Sequence, residues 1–276
     1  MSIMTTWPLV SIGLPTYNRP GGLKTALDHI ISQSYTKLEI IVSDNHSDNE
    51  ETILSIIEDY GDSRIQYIRQ ETNIGGILNF KFLVQKSSGE FFMWAADDDY
   101  LESDDIIEKL VKEIMLKAET SLVFPDFNFV DGKGNLNRNA LHNPYSKCKS
   151  SHDYILGLCK SGVGNPVYGL YRKCIMTDEL MALNYYDLSY FNEGVFIHYV
   201  FLNYGVMFVP GIYIRYFSSN VFEKISKSKI VKDFIRYSFR LIKLYLRSNL
   251  NFMIKCYCIS FLLLKHSITT IRFLIK

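Results

Sequence analysis

Four short apolar runs, separated by helix-like stretches, constrain the fold of this chain more than any other feature. The runs cover residues 9–14, 38–43, 65–69 and 91–96 and are rich in branched side chains, as is typical of strands buried on both faces. In the intervening stretches 20–33, 50–60 and 73–86, apolar residues recur every three or four positions, which indicates helices. The alternation predicts right-handed crossovers and an α/β fold with a mainly parallel sheet flanked by helices.

A polar cluster follows each of the four predicted strands. The clusters lie at residues 15–19, 43–45, 73–75 and 97–99. Sheets of this kind bind ligands at the carboxyl ends of their strands. All four clusters are therefore expected to face one cleft.

The last cluster consists of three consecutive carboxylates, Asp97, Asp98 and Asp99. Like charges at the edge of a buried sheet raise one another's energy, so a cation is expected beside them. Carboxylate oxygens suit Mg²⁺ or Mn²⁺, which usually keep water ligands and bind the phosphates of a second ligand. A solvated acidic turn in front of the next helix is the alternative interpretation. That helix is predicted to extend to about residue 117, with Ser103 as its N-cap.

The other clusters contain side chains suited to a nucleotide. Asp44 can accept a hydrogen bond from the N3–H of uracil or thymine, or from the amino group of cytosine. Tyr17 can stack on a base, and Arg19 can pair with a phosphate. Each has a structural alternative: Asp44 as the cap of a helix that starts near residue 49, Tyr17 as a packing residue, Arg19 as a solvated charge, and Asn73 as a helix cap.

The second half of the chain has a weaker pattern. Strands are predicted at 121–130, 167–171 and 206–209, a helix at 196–203, a tight turn at 131–135 and a Gly-rich stretch at 162–166. His198 is expected to pack among apolar neighbours on its helix and not to bind a metal.

The C-terminal part differs from the body in charge. Residues 220–276 contain 12 Lys or Arg against two acidic residues, although the whole chain has a net charge of +1. Helices are predicted at 230–247 and 252–274, and the apolar part of the second is too short to span a bilayer. These basic helices suit either an anionic membrane surface or a solvated cap packed on the body.

Cysteine usage and the N-terminus indicate a compartment. The five cysteines form neither a CxxC pair nor a regular framework, and no basic start followed by an apolar stretch is present at residues 1–8. A cytosolic protein is expected, with the inner face of the cell membrane as its possible place of attachment.

The polar clusters and their flanks read VSIGLPTYNRP, EIIVSDNHSD, TNIGGILNF and FFMWAADDDYL. As a set, and in this order, they resemble the family 2 inverting glycosyltransferases, whose fold is called GT-A. The SDN triplet and the N-I-G with a following Asn79 are most similar to the branch that includes abequosyltransferase-like enzymes of bacterial O-antigen assembly.

The resemblance implies roles for most of the polar side chains. Asp97 and Asp99 match the family's DxD motif, with Asp97 on the ribose side and Asp99 on the metal, Mn²⁺ or Mg²⁺; Asp98 between them leaves open which pair acts. The implied donor site comprises Pro15, Thr16, Tyr17, Arg19, Asp44, Asn73, Asp97 and Asp98.

The family also requires a general base in the second half of the chain. It usually comes from a Glu-Asp pair about a dozen residues before a Gly that precedes a strand and Pro. Glu193 lies twelve residues before Gly205, so it takes this place, but its neighbour is Gly194 and not Asp. Asp187 is the alternative base, and a surface role for Glu193 is the structural alternative.

Together these features predict a glycosyltransferase that moves one sugar from a nucleotide diphosphate donor to a hydroxyl of a glycan acceptor, lipid-linked or free, in bacterial surface polysaccharide synthesis. The expected parts are a nucleotide-sugar half at 1–130, an acceptor half at 131–219 and the basic extension at 220–276. No nucleic-acid partner is expected. The alternatives are a sugar nucleotidyltransferase, although its Gly-rich basic loop is missing, and a non-catalytic module that binds membrane surfaces. A dinucleotide-binding dehydrogenase is disfavoured because no GxGxxG follows the first strand.

Overall fold

The computed structural model describes residues 7–130, 144–161, 164–177, 192–217 and 226–275. One mixed sheet of eight strands forms the centre, in the order β3-β2-β1-β4-β7-β6-β8-β5. The strands are β1 Val10–Thr16, β2 Leu38–Asp44, β3 Ile65–Arg69, β4 Phe91–Trp94, β5 Asp99–Leu101, β6 Thr120–Val130, β7 Leu170–Arg172 and β8 Gly205–Phe217.

Helices cover both faces of the sheet, as the sequence predicts. They are α1 Pro20–Ile31, α2 Glu50–Tyr60, α3 Gly76–Lys86, α4 Ile106–Leu116, α5 Ser151–Ser161, α6 Gly164–Val167, α7 Asn192–Asn203, α8 Lys227–Arg247 and α9 Phe252–Ile275. A single 3₁₀ turn at Lys173–Ile175 follows β7.

The first four strands are all parallel, with β1 between β2 and β4. The second half is mixed: β7 is antiparallel to both β4 and β6, β8 is parallel to β6, and β5 is antiparallel to β8. Strand order reverses at β1, because the chain goes from β1 to β2 on one side and returns to β4 on the other. Such a reversal opens a crevice at the carboxyl ends of the strands.

Two apolar cores lie on opposite faces of the sheet. One packs Leu23 and Leu27 of α1 and Leu110 of α4 against strand residues. The other packs α3, α5, α7, α8 and α9 against the opposite face, for example through Phe196 and Leu241. The basic C-terminal extension is therefore part of the second core on its inner side.

Several predicted boundaries are wrong for identifiable reasons. Ser103 is not an N-cap: α4 begins at Ile106, and the Ser103 hydroxyl donates to the Asp105 carboxylate at 2.8 Å. Residues 164–167 are helical and only Leu170–Arg172 form the strand predicted at 167–171, since β7 can pair only where β4 and β6 flank it. The predicted turn at 131–135 lies outside the described residues, as do residues 162–163 of the Gly-rich stretch.

Strand β8 is much longer than the four residues predicted. It bends at Gly211, where φ is +79°, and its pairing with β6 shifts between Phe124 and Asp126. A positive φ suits glycine because it has no Cβ. The sheet continues across the predicted boundary at residue 130, so the donor and acceptor halves share one sheet, and the proposed division remains a prediction.

In the part of the chain that the structure describes, no helix combines the length and the apolar character that crossing a bilayer requires.

Candidate functional site

A cleft of about 360 Å³ lies at the carboxyl ends of β1, β2 and β4. In the register of the sheet Thr16 lies opposite Asp44, so these strands end at the same level. The lining residues are Pro15, Thr16, Tyr17, Arg19, Asn45, Gly76, Asn79, Phe80, Ala96, Asp97, Asp98 and Tyr168. The volume is within the range of small-molecule sites, roughly 300–1,000 Å³.

Two carboxylates converge on one cationic atom in this cleft. Nη1 of Arg19 lies 3.0 Å from Oδ1 of Asp97 and 2.8 Å from Oδ2 of Asp98. The Thr16 hydroxyl donates to the other oxygen of Asp97 at 2.9 Å. Burial raises the pKa of Asp97, and Arg19 and Thr16 offset part of that effect. The pair is held by its surroundings and is not a freely solvated turn.

The backbone of α1 packs tightly against the acidic turn. A Cβ on Gly22 would lie 2.0 Å from the carbonyl oxygen of Asp97, whereas a Cβ on Gly21 would meet no atom within 4 Å. Only glycine at position 22 allows the helix to approach so closely. The first turn of α1 therefore fixes the position of Asp97.

Asp99 has a different environment from its two neighbours. It is the first residue of β5, is 6% exposed, and lines a small apolar cavity with Ile12 and Met93 instead of the main cleft. The three consecutive carboxylates therefore do not line one cavity, and the predicted metal-binding role of Asp99 remains a prediction. The cleft receives Asp97 and Asp98.

Asp44 is fully buried beneath the cleft and makes several contacts. Its Oδ1 accepts hydrogen bonds from the backbone N–H of Ser47 at 3.0 Å and from the Ser47 hydroxyl, and its Oδ2 accepts from the Tyr67 hydroxyl at 2.9 Å. Arg69 Nε lies 3.8 Å from Oδ2. Asp44 does not cap α2, whose N-cap position is held by Asn49. Its carboxylate organises the end of β2, and the residue that lines the cleft there is Asn45.

Amide side chains connect the ends of β2 and β3. Asn45 donates from Nδ2 to Asn73 at 3.0 Å and accepts from the backbone N–H of Ile74 at 2.9 Å. Asn79 donates from Nδ2 to the Ser43 carbonyl at 3.0 Å. Asn73 is not the residue before α3, because Gly75 occupies that position. Asn73 thus supports the Asn45 side of the cleft.

The residues present fit a divalent cation. Two carboxylates already meet at one positively charged atom, the Nη1 of Arg19, which marks a point where a metal ion would have two oxygen ligands. Among the described residues no group of three His, Cys, Asp or Glu side chains is arranged to hold a metal. Mg²⁺ commonly uses one or two carboxylates and completes its shell with water and substrate phosphates. Asp97 and Asp98 would hold such an ion.

Glu193 lies in the first turn of α7 and is exposed. Protein around its carboxyl reduces hydration and raises its pKa. Helix α7 packs against β4 through Phe196, whose ring centroid lies 5.9 Å from that of Trp94. Asp187 lies outside the described residues.

The structure gives a reason for Gly194 beside Glu193. A Cβ at position 194 would lie 2.5 Å from the hydroxyl oxygen of Tyr237, which is 7% exposed and packs from α8. Aspartate at position 194 would therefore have to displace the ring of Tyr237. His198, one turn further along α7, is buried at a 2.8 Å contact between its Nδ1 and the Tyr245 hydroxyl, in agreement with its predicted packing role.

Six residues that line the cleft are absent from the donor site predicted from sequence: Asn45, Gly76, Asn79, Phe80, Ala96 and Tyr168. Asn45 could have been identified from sequence, because it is the last residue of the second polar cluster. Phe80 and Tyr168 had no such signal, because their positions depend on how α3 and the loop before β7 pack.

Comparisons with known proteins agree with this architecture. The family model described as Glycosyl transferase family 2 matches residues 11–176. An uncharacterized glycosyltransferase of Rickettsia felis is 31% identical over 129 residues, which is 46% of this chain and 21% of the relative. The putative colanic acid biosynthesis glycosyl transferase WcaA of Escherichia coli is 25% identical over 184 residues, 66% of this chain and 64% of WcaA. The chain thus matches about a fifth of the length of the Rickettsia relative.

Solved structures share the fold. Staphylococcus aureus TarS in complex with UDP has a TM-score of 0.73 at 18% identity, covering 94% of this chain and 71% of that one. The mannosyltransferase PcManGT of Pyrobaculum calidifontis, in complex with GDP-Man and Mn²⁺, has a TM-score of 0.57 at 14% identity, covering 94% and 74%. With the family model matching more than half of the residues, the chain belongs to glycosyltransferase family 2 and has the GT-A fold.

Proposed function

We propose that this glycosyltransferase moves a sugar, with inversion at the anomeric carbon, from a nucleoside diphosphate sugar to a hydroxyl of a glycan acceptor. The observation that carries the proposal is the convergence of Asp97 and Asp98 on Arg19 in a cleft of about 360 Å³. Paired carboxylates beside a guanidinium can bind a cation and a diphosphate together. Asp97 and Asp98, and not Asp99, are the proposed metal ligands.

The reaction is a single displacement. Glu193 takes the proton of the acceptor hydroxyl, the hydroxyl oxygen forms a bond to the anomeric carbon, and the bond from that carbon to the diphosphate oxygen breaks. A bound Mn²⁺ or Mg²⁺ would neutralise charge on the departing diphosphate. Arg19 is placed to pair with the same phosphates when it releases the carboxylates. Asp187 is the second candidate for the base.

The nucleoside is proposed to bind along Pro15, Thr16 and Tyr17, opposite Asn45. Tyr17 is 44% exposed, so its ring is available to stack on a base. Asp44 and Asn73 act by holding Asn45 and the end of β2 in position. TarS was crystallised with UDP and with UDP-GlcNAc, and PcManGT with GDP-Man, which supports a nucleoside diphosphate sugar as the donor class.

The biological role is proposed to be surface polysaccharide synthesis in a bacterium, within the branch that resembles abequosyltransferases of O-antigen assembly. The similarity to WcaA, whose name refers to colanic acid, supports a polysaccharide role. The acceptor is proposed to bind the half of the sheet formed by residues 131–219, at the inner face of the membrane.

Thermal unfolding with nucleotides tests the donor site. UDP, dTDP, CDP and GDP are each added with Mn²⁺, and the true ligand raises the Tm, because a ligand that binds only the folded chain stabilises it by about 2.7 kcal/mol at a hundred times its Kd. Asp98→Asn should abolish the metal-dependent part of the shift, whereas the exposed control Asp59→Asn should keep it. No shift with any nucleotide, or a shift that survives Asp98→Asn, would count against the site.

The base is tested separately on the transfer reaction. Glu193→Gln should lower kcat by at least about 100-fold while donor binding is kept, since general base catalysis contributes roughly 10²–10⁴-fold. Proton NMR of the fresh product reports its anomeric configuration. Retention of configuration would refute the single displacement, and full activity of Glu193→Gln would transfer the role to Asp187.

A further inference from the structure

Helix α8 carries a stripe of exposed apolar side chains. Ile235, Phe239 and Leu246 are 44%, 69% and 60% exposed, and Ile242 lies half-buried between them. Their spacing of four, three and four residues puts them on one side of the helix. The inner face of the same helix is already buried in the core through Phe234 and Leu241. The stripe therefore serves no packing role within the described chain.

A basic stripe lies directly beside it. It consists of four exposed residues that lie next to the apolar stripe around the helix axis: Lys232, Arg236, Lys243 and Arg247. In residues 226–264 the only acidic side chain is Asp233, which is 3% exposed. This outer surface thus combines apolar and positive groups without an exposed negative charge.

The basic side also borders a cavity of about 430 Å³ between α7 and α8. Arg240, Lys243 and Arg247 line it on α8, and Tyr199 and Asn203 line it on α7. Three cationic groups with an amide and a phenol suit an anion of the size of a phosphate headgroup. The cavity is separate from the cleft that contains Asp97.

Helix α9, which packs against α8, also carries exposed apolar side chains. Phe252 and Met253 near its start are 74% and 72% exposed, and Leu263 and Leu264 further along are 48% and 62% exposed. Side chains of this size are seldom grouped on the outside of a monomeric protein unless they bind something.

We propose that the outer face of α8 and α9 is a docking surface for an anionic phospholipid bilayer. Ile235, Phe239 and Leu246 enter the interface between headgroups and acyl chains, while the basic stripe contacts lipid phosphates and the α7–α8 cavity takes one headgroup. The positive charge of this surface favours an anionic membrane over a second copy of the chain. A second copy of the chain would oppose one basic stripe with another, whereas an anionic membrane matches it.

The docking surface adds a partner to the proposed function. The inner face of α8 contacts α7 at Gly194, next to Glu193. A bilayer on the outer face would hold the acceptor end of the enzyme close to a lipid-linked glycan, and only this link to the acceptor rests on the proposed function. The binding of membrane itself does not depend on catalysis.

Vesicle flotation tests the proposal on the full chain. Vesicles of phosphatidylglycerol and phosphatidylethanolamine should carry the protein, vesicles of phosphatidylcholine alone should not, and raising NaCl from about 0.1 M to about 0.5 M should weaken the binding because salt screens charge. Phe239→Ser and Lys243→Glu should each lower the partition coefficient about tenfold or more.

Matched controls lie at the C-terminal end of α4, at its last residue and the residue that follows it. Leu116→Ser removes an apolar side chain that is 74% exposed, and Lys117→Glu reverses an exposed charge; both should bind vesicles as the unmodified chain does. Circular dichroism confirms that all four variants fold. Equal binding to both vesicle types, or equal loss in controls and test variants, overturns the proposal. A dimer in light scattering that Phe239→Ser dissociates would overturn it as well, since the occupant would then be a second copy.

Discussion

Two adjacent glycines in α1 allow a direct test of how the helix fixes Asp97. In Gly22→Ala the new methyl group would lie 2.0 Å from the Asp97 carbonyl oxygen, and in Gly21→Ala it would meet nothing within 4 Å. Real Cβ atoms essentially never approach another heavy atom more closely than 3.0 Å. The helix and the acidic turn must therefore separate by about 1 Å in Gly22→Ala.

The two variants share one energy term and differ in another. Replacing glycine by alanine reduces the entropy of the unfolded chain and stabilises by about 0.4–1 kcal/mol at either position. Only Gly22→Ala adds the overpacking term, about 1–3 kcal/mol. The difference between the free energies of unfolding of the two variants isolates that term. A 1 Å displacement of Asp97 should also lower kcat/KM on the order of 100-fold.

Urea unfolding and transfer kinetics of the two purified variants measure these effects. Gly21→Ala should unfold at equal or higher urea concentration than the unmodified chain and keep its activity within about twofold. Gly22→Ala should be the less stable of the two by about 1–3 kcal/mol and far less active. If Gly22→Ala matched Gly21→Ala in both measurements, the idea that α1 sets the position of Asp97 would be refuted.

Three further predictions concern other contacts. Gly194→Ala should destabilise the chain by about 1–2 kcal/mol, because the new methyl group would meet Tyr237. In a Tyr237→Ala background the same change should stabilise the chain. Urea unfolding of both single variants and the double variant measures this, and additive free-energy changes would contradict it. Arg19→Gln removes the cation that bridges Asp97 and Asp98, so Mn²⁺ should bind about tenfold more tightly in an electron paramagnetic resonance titration; weaker binding would oppose this account. Burial alone would raise the pKa of Glu39, but hydrogen bonds from Ser11 and Ser88 outweigh it and hold the pKa below its usual value. Glu39 therefore contributes stability above its unfolded pKa that is lost as the pH falls through its folded pKa, and Glu39→Gln should cost about 1 kcal/mol in urea unfolding at pH 7 and flatten the acid side of the stability profile.

The first half of the fold was accessible from sequence because its strands are continuous apolar runs. The run at 65–69 gives β3 with the predicted bounds, and the other three runs differ by one or two residues at their ends. Parallel strands covered on both faces carry this signal in every residue. Strand β8 could not be predicted over its full length, because Tyr213 and Arg215 interrupt its apolar character and its pairing with β6 joins distant parts of the chain.

The site was predictable in its location and not in its details. The polar clusters indicated the correct edge of the sheet, and Thr16, Arg19, Asp97 and Asp98 line one cleft. Sequence alone does not reveal that β5 begins at Asp99, since three residues are too few to show a period. It also does not show that Ser47 and Tyr67 enclose Asp44, because these contacts depend on the loop after β2.

The short link between β4 and β5 has a mechanical consequence for the whole sheet. Trp94 and Asp99 are five residues apart, a reach of at most about 18 Å, yet β5 is the fourth strand from β4, which in a flat sheet is about 19 Å. The sheet must therefore curl and close partly on itself, and the bend of β8 at Gly211 permits this curvature. Asp97 and Asp98 form the turn within this short connection, so the closure of the sheet sets where their carboxylates lie in the cleft.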